Sequence, residues 1–273
     1  MRTPRNRRPG PTAGPWSRER LLALLTALGL AALVLITGLG MALWHAADSS
    51  QRATPDPAAS SQPPSDSLTL RDRIASAPMA SLDPQAAFTP DPATGPAPAI
   101  VVPPATTGRG PAGVATGFPR TPEGAVGQLA AIEQTVLESM SLPVTREVHT
   151  AWVQAGGPSF EEWELTRNVH AFLAASRQGG QVKDLTTLVT ATPGMGLVKG
   201  NDGPGWTLAC VLMDVTASIK ADSRMGYGLC ARMGWIQGRW QIAAGADPAP
   251  APSAWPGSNA AIAAGWHAWT QEP

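Results

Sequence analysis

The sequence predicts an α+β fold: three N-terminal helices packed on a curved antiparallel sheet of three to four strands, preceded by a transmembrane helix and a disordered Pro-rich stalk. Three observations carry that expectation. An uncharged apolar run covers Leu21 to Trp44, prolines recur densely over 45–118, and the apolar period changes from helical to alternating after Gly180. The divisions that follow are a cytoplasmic basic tail over 1–20, the membrane helix over 21–44 and the stalk over 45–118. An outer α+β domain over 119–246 comes next, then a C-terminal tail over 247–273 that packs on the domain.

The tail carries Arg2, Arg5, Arg7, Arg8, Arg18 and Arg20 against Glu19 alone, within a chain that balances 20 Lys+Arg against 20 Asp+Glu. No basic, aromatic-interleaved face occurs beyond it, so direct nucleic-acid binding is not expected. The apolar run of about 24 residues makes roughly 36 Å of helix, enough for a ~30 Å hydrocarbon core. A helix satisfies its own backbone hydrogen bonds, which lipid cannot do. Trp16 and Trp44 flank the run as membrane-interface anchors, and the arginines before it orient a single-pass protein with its N-terminus in the cytoplasm. A cleavable signal peptide has a shorter core, ~7–15 residues, before a small-residue site that Trp44-His45-Ala46-Ala47 does not supply. The lipid bilayer is therefore the first expected partner.

The stalk includes Pro55, Pro57, Pro63, Pro64, Pro90, Pro92, Pro96, Pro98, Pro103 and Pro104, too dense for helix or interior strand. Its apolar content is too low to offset the entropy of ordering it, so a semi-extended linker is expected. Within it, Leu68 to Ile74 has the makings of a short helix and Ile100-Val101-Val102 of an edge segment.

The domain opens with Thr121-Pro122-Glu123: a capping hydroxyl, a proline suited to the first helical position and an acid that complements the dipole. Ala125, Leu129, Ile132, Val136 and Met140 follow as one apolar stripe. Pro143 opens a second helix carrying Val144, Val148 and Trp152, which Gly156-Gly157 stops. Ser159-Phe160-Glu161-Glu162 has the form of a capping box before a third helix with Leu165, Val169 and Phe172, ending at Gly179-Gly180.

Leu185 to Thr192 then reads as a strand, and Asn201-Asp202-Gly203-Pro204-Gly205 as a turn. Gly194-Met195-Gly196 reads as a strand bend or bulge. Two long strands follow, Trp206 to Ile219 and Met225 to Ile236, and Gln237-Gly238 turns the second into Arg239-Trp240-Gln241-Ile242.

Cys210 and Cys230 lie on the two long strands, directly opposite if the turn between them centres near Lys220. Two states fit that placement: a cross-strand disulfide in an oxidising compartment, or two reduced, buried small hydrophobes. Asp214 and Arg232 occupy comparable places on these strands, either as a structural pair or as polar groups of a pocket. His45, His149, His170 and His267 have no partners at metal-ligand spacing. Neither a nucleophile elbow nor a phosphate-binding loop is present. Catalytic, cofactor-binding and metal residues are all expected to be none, and the chain is expected not to be an enzyme.

Three helices followed by a bent sheet resemble the nuclear transport factor two-like fold, and Met233 to Ile242 looks like its aromatic terminal hairpin. A short tail, one membrane helix and such a domain outside resemble the assembly-factor component of type IV secretion systems and its Gram-positive counterparts. The stretch Ala115 to Ala125 is similar to actinobacterial membrane proteins of conjugation gene clusters. The resemblance implies a non-enzymatic scaffold subunit of a conjugative DNA-transfer or type IV secretion-like channel. Its partners would be other channel proteins and further copies of itself, joined through the outer domain. The second expectation is a cell-envelope module that binds a small ligand or wall component in the concave face of its sheet.

Overall fold

The computed structural model describes residues 68–219 and 221–271, all within one compact unit, Pro64–Pro273. The expected basic tail, the membrane helix over 21–44 with Trp16 and Trp44, and the first part of the stalk lie outside the described residues. Among the described residues no helix is long and apolar enough to cross a membrane.

The first described element is a short helix, α1 (Leu70–Ser76), capped by Thr69, and a strand follows, β1 (Ala99–Val102). Three longer helices come next: α2 (Pro122–Ser139), α3 (Leu142–Trp152) and α4 (Glu164–Ala175). Thr121 caps α2 by accepting a hydrogen bond from the Gly124 N–H at 3.0 Å, and Pro122 sits where its missing N–H costs nothing. Met140, in the left-handed region at φ 38°, ends that helix. Ser141 caps α3 in the same way. Ser159 hydrogen-bonds Glu162, yet α4 begins only at Glu164, so the expected capping box closes a turn ahead of the helix.

The sheet is built from β2 (Leu188–Asn201), β3 (Trp206–Ser218), β4 (Asp222–Ile236), β5 (Arg239–Ile242) and, after a small helix α5 (Asn259–Ala263), β6 (His267–Gln271). Its strand order is β1-β6-β2-β3-β4-β5. β1 and β6 pair in parallel, and every other neighbour is antiparallel.

The expected fold class is therefore corrected. The sheet has six strands rather than three or four, is mixed rather than antiparallel, and curls into a half-barrel. The two additional strands come from opposite ends of the unit: β1 from the segment read as disordered stalk, β6 from the tail. β2 also runs on past Thr192 to Asn201, with its register shifting between Pro193 and Met195.

The physical reason lies in β3, which is apolar on both sides. Ala209, Val211 and Met213 face the helices, in one core with Leu129, Ile132 and Val136 of α2. Leu208, Cys210 and Leu212 point the other way and are equally buried. A sheet buried on both faces needs a cover on both. The helices cover one. On the other, Met79 and Leu82 of the former stalk pack with Ala254, Ala261 and Trp266 of the tail. Ile74 and Ala75 of α1 cover Trp206 and Leu208. Full burial of a large apolar side chain contributes roughly 1.5–3 kcal/mol; the partly buried Ile74, Met79 and Leu82 each contribute a share of that, which helps order a proline-rich segment with few apolar residues over 68–118.

Backbone hydrogen bonds hold these straps. The Trp255 N–H donates to Ala86 O at 2.7 Å and the Ala249 N–H to Ala75 O at 2.9 Å. Gly226 on β4 lies so close beneath the strap that an added Cβ would be 1.7 Å from Ala254 O.

Candidate functional site

The helices do not fill the concave face completely. Where α2 and α4 diverge from the hairpin end of β3 and β4, a cleft of about 500 Å³ remains. Asn168, Ala171, Phe172 and Ala175 of α4 line one wall, recurring at three and four residues as neighbours on a helical face do. Leu137 and Met140 of α2 and Val189 of β2 line another. The floor and far side are Val215, Ala217, Met225 and Tyr227, whose alternate spacing turns them all toward the helices. Three alanines among these residues leave the room that larger side chains would take.

Polar groups gather at one end of this apolar hollow. The Tyr227 hydroxyl donates to Glu164 Oε1 at 2.9 Å and accepts from Asn168 Nδ2 at 2.8 Å. Burial pushes the Glu164 carboxyl above its ordinary range, and the Tyr227 hydrogen bond works against that rise. Tyr227 is itself pushed up, first by burial and then by the two nearby carboxyls, Glu164 and Glu133.

Glu133 lies one helical turn before Leu137 on α2 and is completely buried. Both of its carboxyl oxygens lack a hydrogen-bond partner. Burial holds its carboxyl well above the ordinary range and Glu164 adds to the effect, so the neutral acid is favoured. Glu133, Glu164, Tyr227 and Asn168 thus form one acidic cluster drawn from three elements; Asn168 and Tyr227 line the cleft, whereas Glu164 lines a separate hollow with Trp163, Cys230 and Arg232.

The residues singled out from the sequence lie elsewhere. Asp214 and Arg232 do not meet, so the expected pair is corrected. The register places Asp214 opposite Gly226 and Arg232 opposite Leu208. Six residues of strand separate those positions, roughly 20 Å. Both side chains point away from the cleft, Asp214 to an ion pair with Arg224. Arg232 is buried on that outer side, bonded to Ala246 O at 2.8 Å and to Asp72 at 2.9 Å, a partner from the former stalk. Cys210 and Cys230 are directly opposite in the register and disulfide-bonded, also on the strap side.

His149 contacts Pro158 O through Nε2 at 2.9 Å and packs edge-on to Phe160 and Trp163. Among the described residues, no group of three or more His, Cys, Asp or Glu is arranged to hold a metal ion.

Sequence reasoning missed all four members of the acidic cluster. Glu164 reads as a first-turn acid that capping explains, and Asn168 draws no notice in the sequence. A signal existed for the other two. Glu133 interrupts a helix that is otherwise apolar around most of its girth, and Tyr227 is the chain's single tyrosine, on a strand that is buried on both faces.

No known protein family, curated protein or solved structure matches this chain.

Proposed function

We propose that the folded unit is a non-enzymatic binding module that takes a small, largely apolar molecule into the concave face of its sheet. The observation that supports this reading is the cleft of about 500 Å³, lined mostly by apolar side chains, with Asn168 and Tyr227 at one end and Ser176 and Ser223 as its other polar residues. Small-molecule sites generally fall in the range of about 300–1,000 Å³ and have this composition, with a few polar groups fixing the ligand's orientation.

The test is binding of an uncharged apolar fluorophore, N-phenyl-1-naphthylamine, to the full chain and to Ala171→Trp, whose indole would fill the cleft. Saturable binding to the wild type that the substituted protein loses, with its thermal midpoint unchanged, supports the module. Equal binding by the two proteins sinks it.

The scaffold of a conjugative or secretion-like channel is the second reading, and one observation favours it. Val182, Leu185, Leu188 and Ile219 are exposed near this end of the sheet, where Leu188 pairs with Ser218 and the Lys183 N–H bonds Met140 O. Exposed apolar groups so close together suit a protein contact. Self-association of the full chain that Leu185→Asp and Leu188→Asp abolish together would support it. A gene neighbourhood without a relaxase or transfer ATPase would remove it.

A further inference from the structure

On the binding-module reading, the residues that line the cleft also decide which head group its ligand carries. None of the described lining residues is Asp, Glu, Lys, Arg or His. Glu164 takes the Tyr227 proton but lines a separate hollow. A charged head brought into the cleft would lose water without meeting an opposite charge on its walls, which is a costly transfer.

The cleft has an inner end and a mouth. On β3, Met213 and Val215 are buried, Ala217 is half-buried and Ile219 is exposed. Exposure falls in the same direction on β4, from Ser223 near the hairpin turn to the half-buried Met225 and Tyr227. Asn168 of α4 meets Tyr227 at 2.8 Å, so these two residues mark the inner end. From Ser223 to Tyr227 the strand advances roughly 13 Å. From Asn168 to Ser176 the helix advances roughly 12 Å. Between those ends the helical wall is Ala171, Phe172 and Ala175, and Met225 faces it from the strand.

Asn168 is the polar group with bonding capacity to spare. Tyr227 gives its proton to Glu164, so its oxygen accepts from Asn168 and turns the amide nitrogen toward it. A side-chain amide carries two N–H donors and a carbonyl acceptor. Among the described residues one donor of Asn168 is used, and no donor reaches its Oδ1. That oxygen is not sealed away from solvent either. The remaining N–H and the carbonyl suit a head that both accepts and donates. Ser176 offers less, because its hydroxyl donates to Phe172 O of its own helix at 2.7 Å.

We propose that the cleft selects a single-chain amphiphile with an uncharged head that both donates and accepts, a fatty alcohol or a fatty amide. It binds head inward. The hydroxyl or carboxamide rests on Asn168 beside Tyr227, the chain follows the α4 wall, and its far end lies at Ile219.

The experiment titrates the full chain at about pH 8, where a fatty acid is ionised, with four octyl probes: octanamide, octanol, octanoate and octyltrimethylammonium. Binding is read from the methyl NMR signals of Met140 and Met225, both in the cleft wall. Octanamide and octanol are expected to bind about tenfold more tightly than either charged probe. Tyr227 is the chain's single tyrosine, so selective labelling gives one ring to observe. The methylene beside the probe's head should contact that ring, and its terminal methyl should contact Ile219. Asn168→Leu keeps the wall and removes the amide. It should bind both neutral probes about tenfold more weakly and N-phenyl-1-naphthylamine as before.

Equal affinity for neutral and charged probes overturns the head-group proposal and leaves the cleft as a binding site. Tighter binding of either charged probe, or a chain reversed so that its methyl meets Tyr227, does the same. Failure of every probe to move either methionine overturns the binding-module reading as well. If Asn168→Leu does not fold, the contact between head and Tyr227 in the wild type decides alone, and its absence overturns the proposal.

Discussion

The Tyr227 hydroxyl donates to Glu164 Oε1 at 2.9 Å, tying β4 to the first turn of α4 beside the cleft that Tyr227 lines. The bond lowers the Glu164 carboxyl against the larger effect of burial. Tyr227→Phe removes the donor and leaves a largely buried acceptor with less to bind. We expect a loss of about 1–2 kcal/mol in urea unfolding and a further rise of the Glu164 titration followed by carboxyl-carbon NMR. An unchanged Glu164 titration would show that the hydroxyl does not govern it.

Glu133 makes stability depend on pH in a direction that can be stated in advance. Its folded-state carboxyl titrates well above its unfolded one. The folded chain therefore binds the proton more tightly, and this contribution is fully present below the unfolded value near about 4.3. It is lost as pH rises through the folded value. Glu133→Gln cannot ionise, so the substituted protein should equal the wild type near about pH 4 and be more stable near about pH 8. Glu164 shifts in the same direction and leaves a shared remainder in both proteins. Urea midpoints at the two pH values measure the difference, and parallel curves would refute it.

Cys210 and Cys230 close a loop with a sequence separation of 20. The chain-entropy argument assigns such a crosslink about 3 kcal/mol. The double substitution to alanine should lower guanidinium stability by about that amount. Both cysteines are buried, so a water-soluble phosphine should reduce the bond only as fast as the fold opens. Immediate reduction of the folded chain would contradict that burial.

Gly226 is the place where the strap on the outer face can be lifted by a single methyl group. An alanine there would drive its Cβ into Ala254 O. Overpacking of this kind costs about 1–3 kcal/mol. Gly226→Ala should also expose the Trp255 N–H, which is bonded to Ala86 O, to rapid deuterium exchange. Unchanged protection at Trp255 would show that the strap is anchored elsewhere.

Local physics wrote some elements into the sequence and left others out. The start of α2 is legible because Thr121, Pro122 and Glu123 act within one turn. The long hairpin is legible because β3 and β4 are each long strand-forming runs bounded by the turn residues Asn201 to Gly205 and Gln237-Gly238. β1 and β6 are not. Each is short, lies near prolines, and finds its partner some 169 positions away, as Ile100 does with Trp269. One available clue pointed to their surroundings: β3 is apolar on both faces, which requires a second cover, and only the proline-rich segments remained to supply it.

The candidate site was harder to read. Nothing near Glu133 in sequence distinguishes a partnerless buried acid from one paired through the fold. Only the three-dimensional neighbourhood of α2, α4 and β4 shows that no donor reaches it. Asp214 and Arg232 drew attention because opposite charges on adjacent strands suggest pairing. Register decides the matter, and it sets each beside a different partner.

The insertion of β6 between β1 and β2 also fixes when this sheet can be completed. A chain emerging from the ribosome presents β1 first and β2 to β5 next, yet β1 has no neighbour in the sheet until β6 follows them. During that interval the part of the β2 edge that β6 later covers, at Met195 and Gly196, stands bare, with N–H and C=O groups open to a strand from another chain. Synthesis that stops between Ile242 and His267 would leave a product able to form the β2–β5 meander but unable to close its edge. Such a fragment should associate with others of its kind through that edge more readily than the finished chain.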